Sequence, residues 1–491
     1  MCISSGRSGK TQVRRYGARL GLRHTRCSTK PRNCGPVSDL LITDCSVGNR
    51  HSLDIRISDG VITEVGRRLA RRGEDILDAD GNQVIPGLCD HHIHLQALAA
   101  RRSSVECGPP AVRNAHELAA ALQGSPGSDG WVRGVGYFES VAGDLDRDAL
   151  DHLHASRPVR IQHRSGAMWV LNTAGVVAAR LGQADHPGVE RDGAGRPTGR
   201  VWRADSWLRA QIPGNSPPSL RDVGTELSRL GVTAVTDATP DLAPESTESI
   251  CAAISLGDIP QRVHLLGVPL GASVPSTGPT VGPYKIVLAD SGLPDLEQLA
   301  TLIESAHSIG RPVAAHSVSR EALLILLSVL GEIGTIPGDR IEHGALIPVE
   351  SITEINRLGL AVVTQPGFIA DRGDDYLEHV AAIDHQDLYR CRSLLDAAVP
   401  VAFSSDAPYG PLDPWSVIAA SQTRLTPAGT VLGGAETIDY NTALAAYLGS
   451  PEDPGGPPRR VEVGAAGDLV LISPTQSPSV LATVIGGKQI Y

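Results

Sequence analysis

The chain contains a histidine-rich segment, Asp90-His91-His92-Ile93-His94, whose spacing suits metal chemistry. Residues two apart on a strand share a face, so Asp90, His92 and His94 point one way and His91 and Ile93 point the other. Two imidazoles at that spacing can bind one metal ion. The same pattern also occurs in strand histidines that only hydrogen-bond to the backbone, so this motif alone leaves both interpretations open.

Three further polar residues each follow a short apolar run: His316, His343 and Asp406. The interval of 27 residues from His316 to His343 fits one strand and one helix, and the interval of 63 residues to Asp406 fits two such units. A single residue of this kind usually caps or solvates a strand end. Their recurrence at equivalent strand ends predicts instead a shared metal site with His92 and His94.

Lys285 is one of only four lysines in the chain, and it opens the apolar run Lys285-Ile286-Val287-Leu288. A bare ammonium is costly to bury and has no lone pair for a metal. Reaction with carbon dioxide would give a carbamate, N6-carboxylysine, whose two oxygens can bridge two cations. The alternative is an ion pair with Asp290 or another acid.

The elements that must position these residues alternate between strand and helix, which is typical of a parallel α/β fold. Eight strands predict a (β/α)8 TIM barrel, whose catalytic residues lie at the carboxyl ends of its strands. The expected strands are Gln83–Cys89, Val232–Asp237, Val263–Leu266, Lys285–Leu288, Val313–His316, Arg340–His343, Ala361–Gln365 and Val401–Asp406. The interval 99–219 is too long for one connection and predicts an insertion over the barrel mouth, after the first barrel strand.

Both chain ends alternate apolar and polar residues between glycine turns, as antiparallel hairpins do. We therefore expect residues 38–86 and 436–491 to form one small β-sandwich domain beside the predicted barrel at 87–435. Residues 1–37 carry nine Lys or Arg residues and no acid. They are interpreted as a basic disordered leader, with a targeting segment as the alternative.

The composition of the chain limits the kinds of molecule that it is expected to bind. The formal net charge of -10 and the lack of a basic stripe in the body of the chain argue against nucleic-acid binding. No apolar run approaches the roughly 20 residues that span a membrane. The eight cysteines are scattered, without a Cys-x-x-Cys pair, so we expect reduced thiols in a cytoplasmic protein. A small-molecule substrate is the expected partner, and a homo-oligomer is compatible with the sequence without being required.

Together these motifs resemble the metal-dependent amidohydrolase superfamily, specifically its N-substituted formamide deformylase-like branch (amidohydrolase family 3). The resemblance runs from about Ser38 to Tyr491. It rests on the segments Asp90–His94, Trp131–Tyr137, Lys285, Ala315-His316, Arg340–Gly344, Ser405–Pro408 and Pro411–Trp415. The family pattern implies a barrel with a β-sandwich built from both chain ends, and it implies six metal ligands: His92, His94, Lys285, His316, His343 and Asp406.

The resemblance implies hydrolysis of a carbon–nitrogen bond other than a peptide bond. One or two divalent ions, zinc from the ligand types, would activate water to attack an amide or formamide carbonyl. Manganese or iron could occupy the same ligands. Asp406 would act as general base and then general acid, and His343 or His316 would steady the oxyanion. Tyr137, Trp169, Gln365 and Trp415 are candidate substrate contacts, with ordinary packing as the alternative for each.

Two departures from the family pattern lie where the substrate would be selected. Ser165-Gly166-Ala167 replaces an Asp-Gly-His that many relatives have, and the segment from Asp290 to Pro294 is shorter than their glycine-rich loop. The alternatives are a deaminase of a nitrogen heterocycle and a non-catalytic barrel with an assembly role. The residues after His316, Ser317-Val318-Ser319-Arg320, lack the acid that a ring deaminase needs. Assembly proteins tend to lose ligands, and here the set is complete.

Overall fold

The structure, a computed structural model, describes residues 39–125, 130–212, 217–288, 292–475 and 478–491. All of the described residues belong to one compact unit. The predicted leader, 1–37, lies outside the described residues.

Twenty-three strands occur in the described residues. In chain order they are β1 (Leu40–Val47), β2 (Arg50–Ser58), β3 (Val61–Gly66), β4 (Asp75–Asp78), β5 (Gln83–Pro86), β6 (Leu88–Ile93), β7 (Val105–Glu106), β8 (Val132–Tyr137), β9 (Val159–His163), β10 (Met168–Leu171), β11 (Val189–Arg191), β12 (Pro197–Trp202), β13 (Val232–Asp237), β14 (Arg262–Leu265), β15 (Thr280–Val281), β16 (Tyr284–Val287), β17 (Val313–Ser317), β18 (Arg340–His343), β19 (Ala361–Thr364), β20 (Val401–Phe403), β21 (Leu469–Ile472), β22 (Val480–Ile485) and β23 (Lys488–Gln489).

Fifteen α-helices accompany them in the same part of the chain. They are α1 (Leu95–Arg102), α2 (Ala115–Gln123), α3 (Glu139–Ala142), α4 (Arg147–Leu153), α5 (Thr173–Ala178), α6 (Asp205–Gln211), α7 (Arg221–Arg229), α8 (Pro244–Leu256), α9 (Leu296–Ser308), α10 (Arg320–Ile333), α11 (Ile352–Arg357), α12 (Gly367–His379), α13 (Arg392–Asp396), α14 (Pro414–Thr423) and α15 (Tyr440–Ala445). Short polar side chains accept backbone N–H groups where several helices begin, as Asn114, Asp295 and Ser319 do.

The two chain ends meet in one eight-stranded sheet. Its order is β23-β22-β21-β5-β1-β2-β3, with β4 paired to β1. The register joins Val470 to Ile85 and Leu471 to Val84, although most of the chain lies between them. Buried side chains from both ends, among them Ile55 and Val484, form a separate apolar cluster. The predicted pairing of the terminal strands is therefore found.

The strands that carry the predicted metal ligands form two parallel sheets, β15-β14-β13-β6 and β16-β17-β18-β19-β20. Backbone hydrogen bonds join the two sheets at both ends. Lys285 N donates to Leu266 O at 3.2 Å, and Asp406 N donates to His92 O at 2.8 Å. Parallel pairing puts the carboxyl ends of neighbouring strands at one edge, so the polar residues that follow these strands lie near one another.

The first predicted barrel strand, Gln83–Cys89, is wrong in its bounds. The segment forms two strands, β5 in the terminal sheet and β6 in the parallel sheet, and Gly87 lies between them. A Cβ at Gly87 would lie 2.2 Å from the side chain of Thr233, so glycine permits the close approach of β6 to β13. The last predicted barrel strand is also shorter than expected, because β20 ends at Phe403 and Asp406 follows in a loop.

The long interval between β6 and β13 contains a sheet of its own, in the order β11-β12-β10-β9-β8-β7. Two apolar clusters form its core, one around Ile161 and the other around Leu171. Arg164 of this region forms a 2.7 Å ion pair with Asp375 of α12, which ties the inserted sheet to the parallel-sheet region.

Residues just before the terminal strands pack with the parallel sheets. Ile438, Leu444 and Tyr447 belong to the large apolar cluster that surrounds those sheets. Tyr447 O accepts a hydrogen bond from Cys89 N at 2.8 Å. The C-terminal part of the β-domain was expected to start at 436. Its first strand, β21, starts only at Leu469, and the segment before β21 packs against the parallel sheets instead. Within the described residues, no helix combines the length and apolarity needed to cross a membrane.

Candidate metal centre

His92 and His94 stand at the carboxyl end of β6, where the strand passes into α1. His92 is fully buried and His94 is partly buried. Leu95 N, at the start of α1, donates to the carboxylate of Asp237 on the neighbouring strand β13 at 2.8 Å. The two imidazole rings are 5.3 Å apart. The strand and the bonded turn thus hold both rings at the same edge of the sheet.

Asp406 reaches these histidines through a tightly bonded loop after β20. Asp90 accepts hydrogen bonds from Ser405 N, at 3.1 Å, and from Ser405 Oγ. Asp406 itself has a φ of 53°, a conformation unusual outside glycine that persists only where surrounding contacts impose it. The Asp406 Oδ1 atom lies 3.4 Å from His92 Nε2 and 3.2 Å from His94 Nε2.

These three residues form the described cluster best suited to a metal ion. One ligand atom from each of His92, His94 and Asp406 lies within 4.8 Å of the other two. The His92 Nε2 and Asp406 Oδ1 atoms are buried and have no hydrogen-bond partner among the described residues. Buried polar atoms are normally satisfied. A divalent cation would satisfy both, so the residues fit such an ion.

His343 and His316 extend the cluster along the sheet. The His343 ring lies 4.6 Å from the His92 ring and 4.5 Å from the His316 ring. His343 Nδ1 lies 3.9 Å from Asp406 Oδ2. His343 has a φ of 70°, so it shares the unusual backbone conformation of Asp406. The sequence prediction that these residues converge agrees with this arrangement.

Lys285 is buried on β16, two residues before the position that pairs with His316 on β17. Its Nζ atom has no hydrogen-bond partner among the described residues, and its side chain lines the same cavity as the histidines. Burial lowers the pKa of Lys285 to about 8 despite the acids Glu342 and Asp406 nearby. Asp290, the alternative ion-pair partner, lies outside the described residues.

A second layer of side chains orients the histidines. His92 Nδ1 is hydrogen-bonded to Glu342 Oε2, and Arg340 Nε donates to Glu342 Oε1 at 2.6 Å. Burial acts to raise the pKa of Glu342, but the charges of Arg340 and Lys285 outweigh it and the net shift is downward. An ionised carboxylate can only accept, so the His92 Nδ1 carries the proton and its Nε2 presents a lone pair to Asp406.

His343 and His94 have analogous partners. Gln365 Nε2 donates to Ser404 Oγ at 2.9 Å, which leaves Gln365 Oε1 to accept from His343 Nδ1 at 3.0 Å. His94 Nδ1 lies 3.1 Å from Thr239 Oγ1. Sequence analysis missed Glu342 and Thr239 as orienting residues. Glu342 stood inside the Arg340–Gly344 motif, whereas nothing in the sequence around Thr239 marks it.

The electrostatics favour neutral histidines. Burial, with neighbouring positive charges, lowers the pKa of His316 to about 3 and holds the pKa values of His92 and His343 well below their usual range. Neutral imidazole is the form that binds a metal ion. The three rings therefore need no deprotonation before they can act as ligands at neutral pH.

The centre opens into a cavity of about 1760 Å³, which all six predicted metal ligands line. The inserted sheet forms much of the opposite wall. Among the four predicted substrate contacts, Trp169 lines this cavity, whereas Tyr137, Gln365 and Trp415 do not. Tyr137 packs in the core of the inserted region, and Gln365 is bonded behind His343. Trp415 packs against the core around the parallel sheets. Packing, the alternative interpretation, fits these three residues.

Comparison with known proteins points the same way as the geometry. Residues 75–491 match the model of a family described as the amidohydrolase family. The chain is 24% identical to the N-substituted formamide deformylase of Arthrobacter pascens over 88% of this chain and 93% of that protein.

Two solved structures share the fold. An uncharacterized metal-dependent hydrolase from Pyrococcus horikoshii superposes with a TM-score of 0.71 at 19% identity, covering 92% of this chain and all of that one (100%). N-isopropylammelide isopropylaminohydrolase from Burkholderia multivorans superposes with a TM-score of 0.51 at 17% identity, covering 92% of this chain and 98% of that one.

Proposed function

This chain belongs to the amidohydrolase family and is a hydrolase of carbon–nitrogen bonds, and from that premise we propose that it is a metal-dependent hydrolase of amide or formamide bonds in small molecules. The observation that carries the proposal is the convergence of His92, His94 and Asp406 with unpartnered buried ligand atoms. Similarity to the N-substituted formamide deformylase supports the choice of an amide or formamide bond.

We propose that His92, His94, Lys285, His316, His343 and Asp406 hold one or two divalent ions, zinc by ligand type. When bound, such an ion supplies an electrophile for a carbonyl oxygen and lowers the pKa of the attacking water. Lys285 would join as a carbamate. Its neutral amine bonds to the carbon of carbon dioxide and one proton leaves, giving two oxygens and one negative charge. The lowered pKa of Lys285 enlarges the reactive neutral fraction near neutral pH.

Asp406 would perform the proton transfers. Its buried Oδ1 accepts a proton from the attacking water, whose oxygen bonds to the carbonyl carbon. The same carboxyl then gives that proton to the leaving nitrogen as the carbon–nitrogen bond breaks, and a carboxylic acid and an amine result. His343 or His316 would steady the negative charge that develops on the carbonyl oxygen. Glu342 would keep the His92 ring in its orientation throughout.

We infer that the two parallel sheets are arcs of one (β/α)8 barrel. The hydrogen bonds from Lys285 N to Leu266 O and from Asp406 N to His92 O, one at each junction, support closure. The terminal sheet would form the β-sandwich, and residues 99–219 the insertion over the mouth. Because Ile438 and Tyr447 pack with the parallel sheets, the proposed boundary of the sandwich moves from 436 to about Leu469.

The aminohydrolase among the similar structures makes deamination the second candidate. In the described residues, no acidic side chain forms a hydrogen bond or ion pair with His316, and Glu342 is already bonded to His92 and Arg340. The general acid that a ring deaminase needs is therefore lacking there. An assembly protein is disfavoured because the ligand set is complete.

The test is hydrolysis of a panel of N-formyl and N-acyl amines by protein stripped of metal and then reloaded with zinc, manganese or iron. We expect amine release that depends on the added metal and is abolished by Asp406→Asn. Release of ammonia from heterocycles instead would favour the deaminase. Binding of metal without turnover of either class would favour the assembly role.

A further inference from the structure

A cluster of positive side chains lies in the same cavity as the metal centre, on the inserted sheet. We call it the arginine pocket and define it by Arg133, Arg160, Trp169, Asp205 and Arg209, all of which line the cavity. Arg133 and Arg160 are paired across the parallel strands β8 and β9. Their guanidinium carbons lie 5.1 and 5.4 Å from the centroid of the Trp169 ring. The indole thus supports two cations side by side, an arrangement that like charges alone would oppose.

Arg133 forms no ion pair with an acid in the described part of the chain, although the charge of Asp205 acts on it from further away. Arg133 donates a hydrogen bond to the neutral hydroxyl of Ser104, and it forms no ion pair within the described ranges. Arg209 likewise donates to neutral groups, Gln96 Oε1 at 3.2 Å and Ser246 Oγ at 3.3 Å. Two other arginines of the cavity differ, because Arg164 pairs with Asp375 and Arg372 pairs with Asp371.

The charge of Asp205 acts on both arginines, but its Oδ1 atom is bonded elsewhere. Its Oδ1 accepts hydrogen bonds from Trp169 Nε1 at 2.7 Å and Gln162 Nε2 at 3.3 Å, and it forms no ion pair with Arg133 or Arg209. Burial and the charge of Arg160 lower the pKa of Arg133 to about 10, which still leaves the guanidinium positive at neutral pH. A partly desolvated cation of this kind is stabilised when an anion binds beside it.

The pocket is a short distance from the metal centre. The Tyr409 ring lies 5.3 Å from the His94 ring, and its hydroxyl is hydrogen-bonded to Gln162, which in turn bonds to Asp205. One tyrosine and one glutamine therefore separate the two sites. Because the histidine cluster and Arg133 line one cavity, a molecule that places its carbonyl at the histidines can extend toward Arg133.

We propose that the substrate of this hydrolase is an N-formyl or N-acyl amine that carries a carboxylate, and that Arg133, with Arg209, binds that carboxylate. The inference rests on the proposed amide hydrolysis and adds the charge of the substrate. The planar guanidinium of Arg133 matches a carboxylate in a two-point contact, and Trp169 holds the side chain in place.

The experiment compares matched substrate pairs on the metal-loaded enzyme. N-formyl and N-acetyl derivatives of phenylalanine, leucine and alanine are each tested as the free acid and as the carboxamide. We expect kcat/KM to be about 10- to 100-fold higher for the acids, the value of hydrogen bonds to a charged group. Arg133→Gln should abolish that preference mainly through KM, and Arg133→Lys should retain part of it.

Arg164→Gln is the matched control, because Arg164 lines the same cavity but is already paired with Asp375. It should alter acid and amide by the same factor. Arg209→Gln serves as a second pocket variant if Arg133→Gln lowers the thermal midpoint. Equal rates for acid and amide in wild type, or a preference that survives in Arg133→Gln, would overturn the inference while leaving amide hydrolysis standing.

A second readout separates failure of the inference from failure of the proposed function. Equilibrium dialysis measures the binding of N-acetylphenylalanine and of its carboxamide to wild type and Arg133→Gln. If neither compound is hydrolysed, the proposed function fails for this class. Tighter binding of the acid that Arg133→Gln removes would still support the pocket, and equal binding by both proteins would overturn it.

Discussion

His92 and Glu342 are joined by a hydrogen bond between Nδ1 and Oε2, although 250 residues separate them in the sequence. Arg340 holds the other oxygen of Glu342. The carboxylate therefore fixes both the tautomer and the tilt of the His92 ring, and the Nε2 atom faces Asp406. The geometry of the metal centre depends on this residue as well as on the proposed ligands.

Replacement of Glu342 tests that dependence. In Glu342→Gln a neutral amide replaces the charged carboxylate that accepts the hydrogen bond from His92 Nδ1. We therefore expect metal affinity to fall about 10- to 100-fold. Competition with a chelator measures the affinity. Glu350→Gln, at an exposed ion pair with Arg320, is the control and should bind metal as wild type does. Unchanged affinity in Glu342→Gln would show that His92 is oriented by other contacts.

Asp406→Asn tests the proton transfers. The amide retains the size of the carboxylate but cannot take up a proton, so kcat should fall by at least about 100-fold. Steady-state kinetics on an N-acyl amine, with metal content measured in parallel, gives the result. Asp222→Asn, on the exposed side of α7, should keep wild-type kcat. A kcat near that of wild type in Asp406→Asn would assign the proton transfer to another group.

The bond between Asp90 and Ser405 should contribute to stability, because it holds the Asp406 loop against β6. Asp90→Ala leaves Ser405 N, Ser405 Oγ and His92 N without their acceptor. Ser405→Ala removes one donor to Asp90 and leaves Ala407 N without its acceptor. We expect losses in the free energy of unfolding of about 3 kcal/mol for Asp90→Ala and about 2 kcal/mol for Ser405→Ala. Urea denaturation of both variants measures them. Equal losses would indicate that the backbone donors find other partners.

Acid stability should depend on Glu436, which is buried and accepts from Arg390 Nη1 at 2.6 Å and from Cys391 N at 3.0 Å. Burial acts to raise the pKa of Glu436, but hydrogen bonds from Ser393 and the charge of Arg390 lower it overall. A carboxyl whose pKa is lower in the folded state stabilises the fold fully when the pH is above its pKa in the unfolded chain, about 4.3. This contribution is lost as the pH falls through the pKa of the folded state.

Glu436→Gln should therefore be less stable than wild type by about 2 kcal/mol at pH 7, and the difference should shrink below about pH 4.3. Urea denaturation from pH 7 to pH 3 follows the difference. Glu248→Gln, which changes an exposed glutamate of α8 without an ion pair among the described residues, should show no such change. A difference that stays constant with pH would contradict the account of Glu436.

The strand positions were largely predictable because the proposed metal ligands follow apolar runs. Val232–Asp237 and Arg340–His343 have the predicted bounds. The first strand was misjudged because Gly87 divides a continuous apolar run between two sheets, and that division depends on Thr233, which is remote in sequence. Asp406 was predicted to end a strand, whereas it lies in a loop, where its backbone N–H donates to His92 O of β6.

The residues around the ligands were less predictable. Thr239 acts through a contact 145 residues away along the chain, and no local pattern signals it. Gln365 was a candidate substrate contact with packing as the alternative, and in the structure Ser404 and His343 engage its amide. The inserted region was foreseen only as an insertion, and its six-stranded sheet was not predicted. Consequently, Arg133 and Arg160 were not identified as a pair.

Lys285 provides the most direct test of the proposed bridged metal centre. Metal content per chain should be measured for wild type, Lys285→Ala and the control Lys488→Ala, which changes a lysine of the terminal strand β23. The account predicts about two ions in wild type and in the control, and one or none in Lys285→Ala. One ion in all three proteins would contradict it.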